Sequence, residues 1–251
     1  MDGYATTTST KTQHDAQQNL LLSALPESEF QSILSALELV DLEVGDVLWE
    51  SEEMRRYIYF PTTALVCLLY ESDEGVSVEV GIAGRQGLLG VATFMSEARM
   101  VKRAVVQVAG QAYRMKAKAV QAEFSQCGDF QDICMAYTQM LIAQISQSAI
   151  CNQLHSVEQR FCRYLLINHD HHQSEIFLMT HDQISNILGV RRESVSIAAS
   201  ALRDQALIEY ARGKITLLDR KAMERAVCEC YGVVKEQYDR ILNKYLASHE
   251  T

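Results

Sequence analysis

One uninterrupted helical pattern, from residue 130 to residue 155, constrains the fold more than any other feature of the sequence. The segment contains neither glycine nor proline, and seven positions from Ile133 to Leu154 alternate at spacings of three and four, apolar except at Gln147. Such a seam is typical of a coiled-coil contact. A second apolar stripe, from Phe130 to Ile145, lies beside it, so one stripe can pack inside the chain and the other on a partner. An ordinary core helix with two buried sides remains the alternative. The expected dimer contacts are Ile133, Ala136, Tyr137, Met140, Leu141, Ala143, Gln147, Ile150 and Leu154.

Before this helix, the hydrophobic period changes from that of helices to that of strands. A helical spacing over residues 20–39, interrupted at Pro26, predicts two short helices. From Val40 onward, short alternating runs such as Val76-x-Val78-x-Val80 are separated by glycines. This arrangement predicts an antiparallel β-barrel or sandwich.

Residues 180–218 follow the order helix, turn, helix, hairpin. Thr180 and Gln183 are spaced as a capping box, which predicts that a helix begins there. Gly189 permits a tight turn before a second helix, and residues 207–218 form two strand-like runs around Arg212-Gly213-Lys214. This order is typical of a winged helix–turn–helix, in which the cations at the hairpin tip contact phosphates.

The second of these helices carries residue types that suit the major groove of DNA. Its inner side is apolar, whereas its outer side offers arginine for guanine, glutamate for cytosine and Ile197 for a thymine methyl. The candidate DNA contacts are Thr180, Arg191, Arg192, Glu193, Ser194, Ser196, Ile197, Ser200, Arg203, Arg212 and Lys214.

The run from Val190 to Val195, followed by Ala201 to Ile208, resembles the recognition helix and its exit in Crp/Fnr-type bacterial transcription regulators. The resemblance extends upstream, because Phe60-Pro61, Glu79-Val80-Gly81 and the stretch from Gly84 to Gly90 are similar to the β-roll sensor domain of that family. It covers about residues 20–222. Many members of the family have arginine at the position of Ile197, so the half-site of this chain is expected to differ from theirs.

The resemblance implies an α+β fold with an N-terminal antiparallel β-roll, a long dimerisation helix and a C-terminal winged helix–turn–helix. It also implies a homodimer that regulates transcription by binding an inverted repeat in double-stranded DNA, with RNA polymerase as a candidate partner. We expect a polar tail over residues 1–19, the β-roll over 20–128, the dimerisation helix over 129–155, the DNA-binding domain over 156–221 and a helical extension over 222–251.

The effector of the β-roll is left open by the sequence. Cyclic-nucleotide-binding members of the family use a glutamate after a glycine for the ribose, and Val91 stands in its place after Gly90. Lys102 and Arg103 can still hold an anion, but the ribose hydroxyls would lack an acceptor. We therefore expect an effector that is unknown or absent, in a pocket near Gly90, Val91, Lys102 and Arg103. A cyclic-nucleotide-responsive regulator of the same architecture is the alternative.

Metal and cofactor sites are not expected. No cysteine precedes Cys67 and no histidine lies between His14 and His155, which argues against iron–sulfur, haem and cupin-like centres. If Cys228 and Cys230 lie on one helix, their side chains point about 200° apart, which opposes a shared ion. His169 to His172 are expected in a polar loop. Because no catalytic motif stands out, we predict a non-enzyme, and a barrel enzyme fused to a DNA-binding domain is a remote alternative.

The net charge of −9 does not exclude DNA as a partner. The acidic excess lies before residue 156, because residues 156–220 contain 8 cationic and 8 acidic side chains. Local clusters of cations decide contact with phosphates more than total charge does. No apolar run approaches the roughly 20 residues of a membrane span, and a cytoplasmic protein is expected.

Overall fold

The structure is a computed structural model that describes residues 15–50, 56–71, 77–95 and 103–247. The antiparallel β-roll that the sequence predicts is present as two sheets, with strand orders β1-β7-β3 and β2-β6-β4-β5. Strands from both sheets contribute Leu42, Trp49, Tyr59 and Val66 to one buried cluster. The strands are β1 (Glu38–Leu42), β2 (Val47–Glu50), β3 (Tyr57–Pro61), β4 (Leu65–Glu71), β5 (Ser77–Ala83), β6 (Arg103–Val108) and β7 (Gly110–Lys116).

Short helices pack beside the three-stranded sheet, in one core cluster with residues of β3 and β7. As predicted, Pro26 separates two of them, α1 (Leu20–Ser23) and α2 (Glu27–Leu34), and α3 (Ala92–Met95) and α4 (Ala117–Phe124) follow. The Asn19 side chain caps α1 and donates hydrogen bonds of 2.8 Å to the carbonyls of Pro61 and Gly87. This buried amide therefore fixes the first helix to the roll.

The long helix α5 (Asp129–Leu154) begins where a carboxylate from α2 meets its free amides. The backbone N–H groups of Asp129 and Phe130 donate to the Glu29 carboxylate at 2.9 and 2.7 Å. A Cβ at Gly128 would lie 2.4 Å from the same carboxylate. Glycine at this position therefore lets a negative charge approach the positive end of the helix.

The C-terminal helix α10 (Cys230–Ala247) packs along α5 inside the chain. Val234, Tyr238 and Leu242 share a core cluster with Phe130 and other residues of α5, and the first residue of α10 lies beside the end of α5. The two helices are therefore antiparallel. The extension at residues 222–251, whose role the sequence leaves open, packs on the N-terminal part of the chain through α10.

The remaining elements form a domain around a core that includes Phe161, Val195 and Ile215. The helix α6 (Val157–His172) begins with a capping box at Ser156 and is followed by β8 (Ile176–Leu178), α7 (His181–Leu188), α8 (Arg192–Asp204), β9 (Ile208–Ala211), β10 (Lys214–Leu217) and α9 (Arg220–Ala226). The three strands pair in the order β8-β10-β9.

The loop expected at residues 169–172 is wrong, because these residues form the last turn of α6. His171 is buried, and the carboxylate of Asp170 accepts hydrogen bonds from Arg220 at 2.6 Å and from Tyr231 at 2.9 Å. The polar run at this point therefore ties α6 to α9 and α10. Within the part of the chain that the structure describes, no helix has the length and apolar character of a membrane span.

Candidate nucleic-acid interface

The first helix of the candidate site, α7, has both ends fixed by local hydrogen bonds. Thr180 forms the predicted capping box, in which its hydroxyl accepts from the Gln183 amide at 3.2 Å and its own amide donates to the Gln183 side chain at 2.8 Å. Gly189 ends the helix with φ 60°, and the Val190 amide donates to the Ser185 carbonyl at 3.0 Å. The turn between α7 and α8 is thereby held in one conformation.

The second helix, α8, turns an apolar side inward and a polar side outward, as the sequence predicts. Val195, Ala198, Ala199 and Leu202 are buried. Arg191 is the N-cap residue but its side chain makes no capping bond, so its guanidinium is available to a ligand. Ile197 is 72% exposed, which is unusual for an isoleucine and places its methyl groups on the outer surface. On this outer surface, Arg191, Arg192, Glu193, Ser196, Ile197 and Arg203 are exposed, and Ser194 and Ser200 are half-buried.

Contacts between α7 and α8 arrange the outer side chains before any ligand binds. The Arg192 guanidinium lies 3.2 Å from the Asp182 carboxylate, and both side chains are largely exposed. The Ser196 hydroxyl forms a hydrogen bond of 2.9 Å with Nδ1 of His181, whose ring stacks on Tyr210 with centroids 4.4 Å apart. Burial and the charge of Arg192 lower the pKa of His181 below its ordinary value, which favours the neutral form of the ring.

His181 and Tyr210 were missed by the sequence reasoning. The capping box placed His181 at the start of α7, but its contact with Ser196 depends on how α7 and α8 cross, and Tyr210 reaches the same point from β9. No local signal in the sequence connects His181 to Tyr210, because the two residues lie far apart along the chain.

The hairpin of β9 and β10 is tight and carries its cations at the tip. Ala211 pairs with Lys214, which leaves Arg212 and Gly213 as a two-residue turn with φ values of 51° and 76°. Two positive φ angles define a type I′ turn, which usually has asparagine rather than arginine at its first position. The Met179 amide donates to the Gly213 carbonyl at 2.8 Å, so the tip is held beside the start of α7. Arg212 and Lys214 are both exposed there.

Residues 159–226 match the family model of the Crp-like helix-turn-helix domain. This part of the chain is a Crp-like helix-turn-helix domain. The resemblance that the sequence carries is thus confirmed for the region that holds α6 to α9. A comparison with curated proteins found no match.

Solved structures of Crp/Fnr-type proteins have the same fold. A protein assigned to the Crp/Fnr family from Eubacterium rectale is 16% identical, with 82% of this chain and 96% of that chain covered and a TM-score of 0.65. FixK2 from Bradyrhizobium japonicum is 14% identical, with coverages of 76% and 98% and a TM-score of 0.64. A CRP-family transcriptional regulator from Thermus thermophilus is 19% identical, with coverages of 74% and 95% and a TM-score of 0.62. The chain therefore has the architecture of a Crp/Fnr-type transcription regulator, with an N-terminal β-roll joined to the Crp-like domain.

The long helix of this architecture exposes a different side from the one predicted for the dimer contact. Ile133, Tyr137 and Met140 are buried against α10 and the roll, so these three expected contacts are corrected to core residues. Ala136, Leu141, Ala143 and Gln147 are half-buried, whereas Ile150 and Leu154 are exposed. The sequence pattern showed two neighbouring stripes but not that the C-terminal helix α10 would cover one of them.

An exposed seam runs along α5 one or two positions away from the predicted one. Its members alternate at spacings of four and three, the pattern of a coiled-coil contact. Two large apolar side chains in it, Met135 and Ile142, are 47% and 51% exposed. The exposed seam consists of Met135, Gln139, Ile142, Ser146, Ala149 and Gln153.

The expected effector residues are spread over several elements. Gly90 has φ 108° and directs the chain close to Ile58, and Val91 packs against the core cluster that contains Ile58 and Leu88. Arg103 begins β6 in the four-stranded sheet, opposite Leu69. Lys102 lies outside the described residues.

Proposed function

We propose that this chain is a homodimeric, non-enzymatic transcription regulator that binds an inverted repeat in double-stranded DNA. The observation that carries the proposal is the placement of the outer side of α8 and the tip of the β9–β10 hairpin. A hydrogen bond joins the hairpin tip to the residue before Thr180, and the Ser196 hydroxyl of α8 bonds to His181, so both surfaces border the start of α7. A helix for the major groove and a cationic tip for the adjacent backbone are the two parts that a winged domain needs.

The outer side chains of α8 divide into base contacts and backbone contacts. Arg192 can donate to guanine, Glu193 can accept from cytosine, and Ile197 can contact a thymine methyl. Arg192 must release Asp182 to reach a base, which costs little because exposed ion pairs contribute only about 0–1 kcal/mol. Arg191 and the hairpin cations Arg212 and Lys214 are suited to phosphates, which are contacted without sequence preference.

Dimerisation through α5 would place two such domains on one DNA molecule. The helix has 26 residues and is therefore about 39 Å long at 1.5 Å per residue. The exposed seam from Met135 to Gln153 supplies a self-complementary strip along it. A single domain would bind weakly, whereas the contacts of two linked domains combine on two half-sites about one helical turn apart.

We further propose that DNA binding does not require a cyclic nucleotide. Val91 stands where the ribose-binding glutamate of cyclic-nucleotide regulators is expected, and its side chain packs into the core rather than offering an acceptor. Calorimetry with cyclic AMP and cyclic GMP tests this part. Saturable binding of either nucleotide, one per chain, would favour the cyclic-nucleotide-responsive alternative.

The test of the main proposal is selection of bound DNA from a random pool by the full-length chain. The selected sequences should contain an inverted repeat with half-site centres about 34–36 Å apart, or a multiple of that distance. A pool that gains no common motif after repeated rounds, with and without cell extract, would contradict sequence-specific binding. A single unrepeated half-site would instead contradict the dimer.

A further inference from the structure

Three cysteines and one histidine meet where the long helix, the Crp-like domain and the C-terminal helix join. Cys151 lies in the last turn of α5, and His155 is its C-cap residue. Cys228 lies in the connection after α9, and Cys230 begins α10. One ligand atom from each of these four residues lies within 4.8 Å of all the others. The three cysteines are buried and the histidine is half-buried.

We propose that Cys151, His155, Cys228 and Cys230 form a binding site for one zinc ion. Three sulfurs and one imidazole nitrogen are the donor set of a structural zinc site. A tetrahedral ion with Zn–S bonds of about 2.3 Å separates its sulfurs by about 3.8 Å and its sulfur and nitrogen by about 3.5 Å. The observed Cys151–Cys228 sulfur distance is 3.6 Å, and the Cys230 sulfur lies 3.5 Å from Nδ1 of His155. Donors this close to one another suit a single ion.

The groups around the four donors support the same assignment. Nδ1 of His155 faces the sulfurs, while Nε2 of the same ring lies 3.2 Å from the Glu229 carboxylate. A carboxylate on the far nitrogen fixes the ring orientation and makes the near nitrogen a better ligand, as in many zinc proteins. The Gln147 amide donates to the Cys230 sulfur at 3.1 Å, which is a suitable partner for a thiolate. Glu229 and Gln147 therefore already hold these donor atoms in orientations that suit an ion.

This proposal reverses the expectation of no metal, and the reason is the local backbone. A shared ion was not expected because, on one helix, the side chains of Cys228 and Cys230 would point in opposite directions. The structure ends α9 at Ala226 and begins α10 at Cys230, so Cys228 lies in a non-helical connection and turns its sulfur toward Cys151. The other two ligands come from a point more than seventy residues earlier, where no spacing rule connects them to this pair.

An ion at this point would link the domains of the chain. Its ligands come from the last turn of α5, from the C-cap residue that follows α5, and from the segment that leaves the Crp-like domain. The ion would therefore fix the angle between α5 and α6 and hold the start of α10 against α5. Its function would be structural, and its presence does not depend on DNA binding.

The experiment measures metal binding by the full-length chain, purified without oxygen in a thiol-free reductant. Elemental analysis should give one zinc per chain after equilibration with zinc and removal of the excess. Replacement by Co²⁺ should give strong ligand-field bands in the visible and a thiolate-to-cobalt charge-transfer band in the near ultraviolet. Competition with a chromophoric chelator gives the zinc affinity of the unaltered chain, so this measurement does not depend on any variant folding.

Variants locate the site. Cys228→Ser and His155→Ala should lower the zinc affinity by well over 100-fold and remove or change the cobalt spectrum. The matched control is Cys162→Ser, because Cys162 is also a fully buried thiol but lies in the core of the Crp-like domain. Glu229→Ala changes a side chain that is 74% exposed, so the fold should survive, and the affinity should fall by about 10-fold.

The proposal is overturned if the reduced chain binds no zinc in competition with the chelator, or if the cobalt complex lacks the charge-transfer band. It is also overturned if Cys228→Ser binds zinc as the unaltered chain does. A disulfide between Cys151 and Cys228 in air-exposed protein, together with no zinc affinity after reduction, would assign the pair to redox chemistry instead.

Discussion

Glu79 lies where the β-roll faces the Crp-like domain, and its replacement should change how stability depends on pH. It lies in β5 and accepts a hydrogen bond of 3.0 Å from the Cys67 thiol. It lines cavities whose other walls include Arg163 of α6 and Asn186 of α7. Burial raises its pKa from 4.5 to about 7, and the Cys67 hydrogen bond and the charge of Arg163 only partly oppose this. The neutral form is therefore the one that the folded chain prefers.

The sign and size of the effect follow from this pKa. The folded chain holds a proton on Glu79 that the unfolded chain loses above about pH 4.5, so stability falls as pH rises from about 4.5 to about 7 and then levels off. At about 1.36 kcal/mol per pH unit, the full difference is about 3 kcal/mol. Because the Glu79 side chain is half-buried, water screens part of this effect, and we expect a stability loss of about 2 kcal/mol. Glu79→Gln should remove this pH-dependent loss of stability.

Thermal unfolding of the full-length chain at about pH 5.5 and about pH 8 measures the prediction. For a chain of this size, 2 kcal/mol corresponds to about 4–8 °C, so Glu79→Gln should gain several degrees relative to the unaltered chain at the higher pH and much less at the lower. Glu236→Gln, an exposed position on α10, is the matched control and should change neither melting temperature. An equal effect of Glu79→Gln at both pH values would refute the reasoning.

Three further predictions concern the proposed DNA and dimer contacts. Arg192→Ala should cost about 1–3 kcal/mol of binding free energy at the selected site and relax the preference at one base position. Lys214→Ala should weaken binding to all DNA sequences alike and reduce the slope of log affinity against log salt concentration by about 1. Gel-shift titrations at several salt concentrations measure both effects. Arg212→Asn should stabilise the chain by about 1 kcal/mol in thermal unfolding, because asparagine tolerates positive φ better than arginine does. The same change should weaken binding to every DNA sequence, because it removes a cation. A loss of stability would show that the turn does not strain arginine. Ile142→Asp should raise the dimer dissociation constant by about 100-fold or more in sedimentation velocity because it places a charge at the seam, with Ile142→Leu as control, and an unchanged dimer would place the interface elsewhere.

The elements with local signals were predictable from the sequence. The break at Pro26, the capping box at Thr180 and the turn at Gly189 each act within a few residues, and the structure places all three as predicted. The glycine-punctuated alternation likewise predicted the strands of the roll. The end of α6 was predicted too early, because its polar residues are typical of a loop. Asp170 is held by Arg220 and Tyr231, which lie 50 and 61 residues later in the chain.

The parts that could not be predicted depend on which element covers which surface. Met140 belongs to a regular apolar stripe, and only the packing of α10 on α5 makes it a core residue rather than a partner contact. A charge at Met140 would disturb folding as well as assembly, so exposed Ile142 is the better probe of the dimer. The contact of His181 with Ser196 and the cluster around Cys151 and Cys228 also require elements that are distant in sequence to meet.

The central claim is that the Crp-like domains of a dimer read a specific DNA sequence. The most direct measurement is a titration, at one fixed salt concentration, of full-length protein with the selected inverted repeat, with the same DNA carrying one scrambled half-site, and with both half-sites scrambled. We predict affinity for the intact site at least about 10³-fold higher than for the fully scrambled DNA, with the single half-site in between. Equal affinity for all three DNA molecules would contradict the claim.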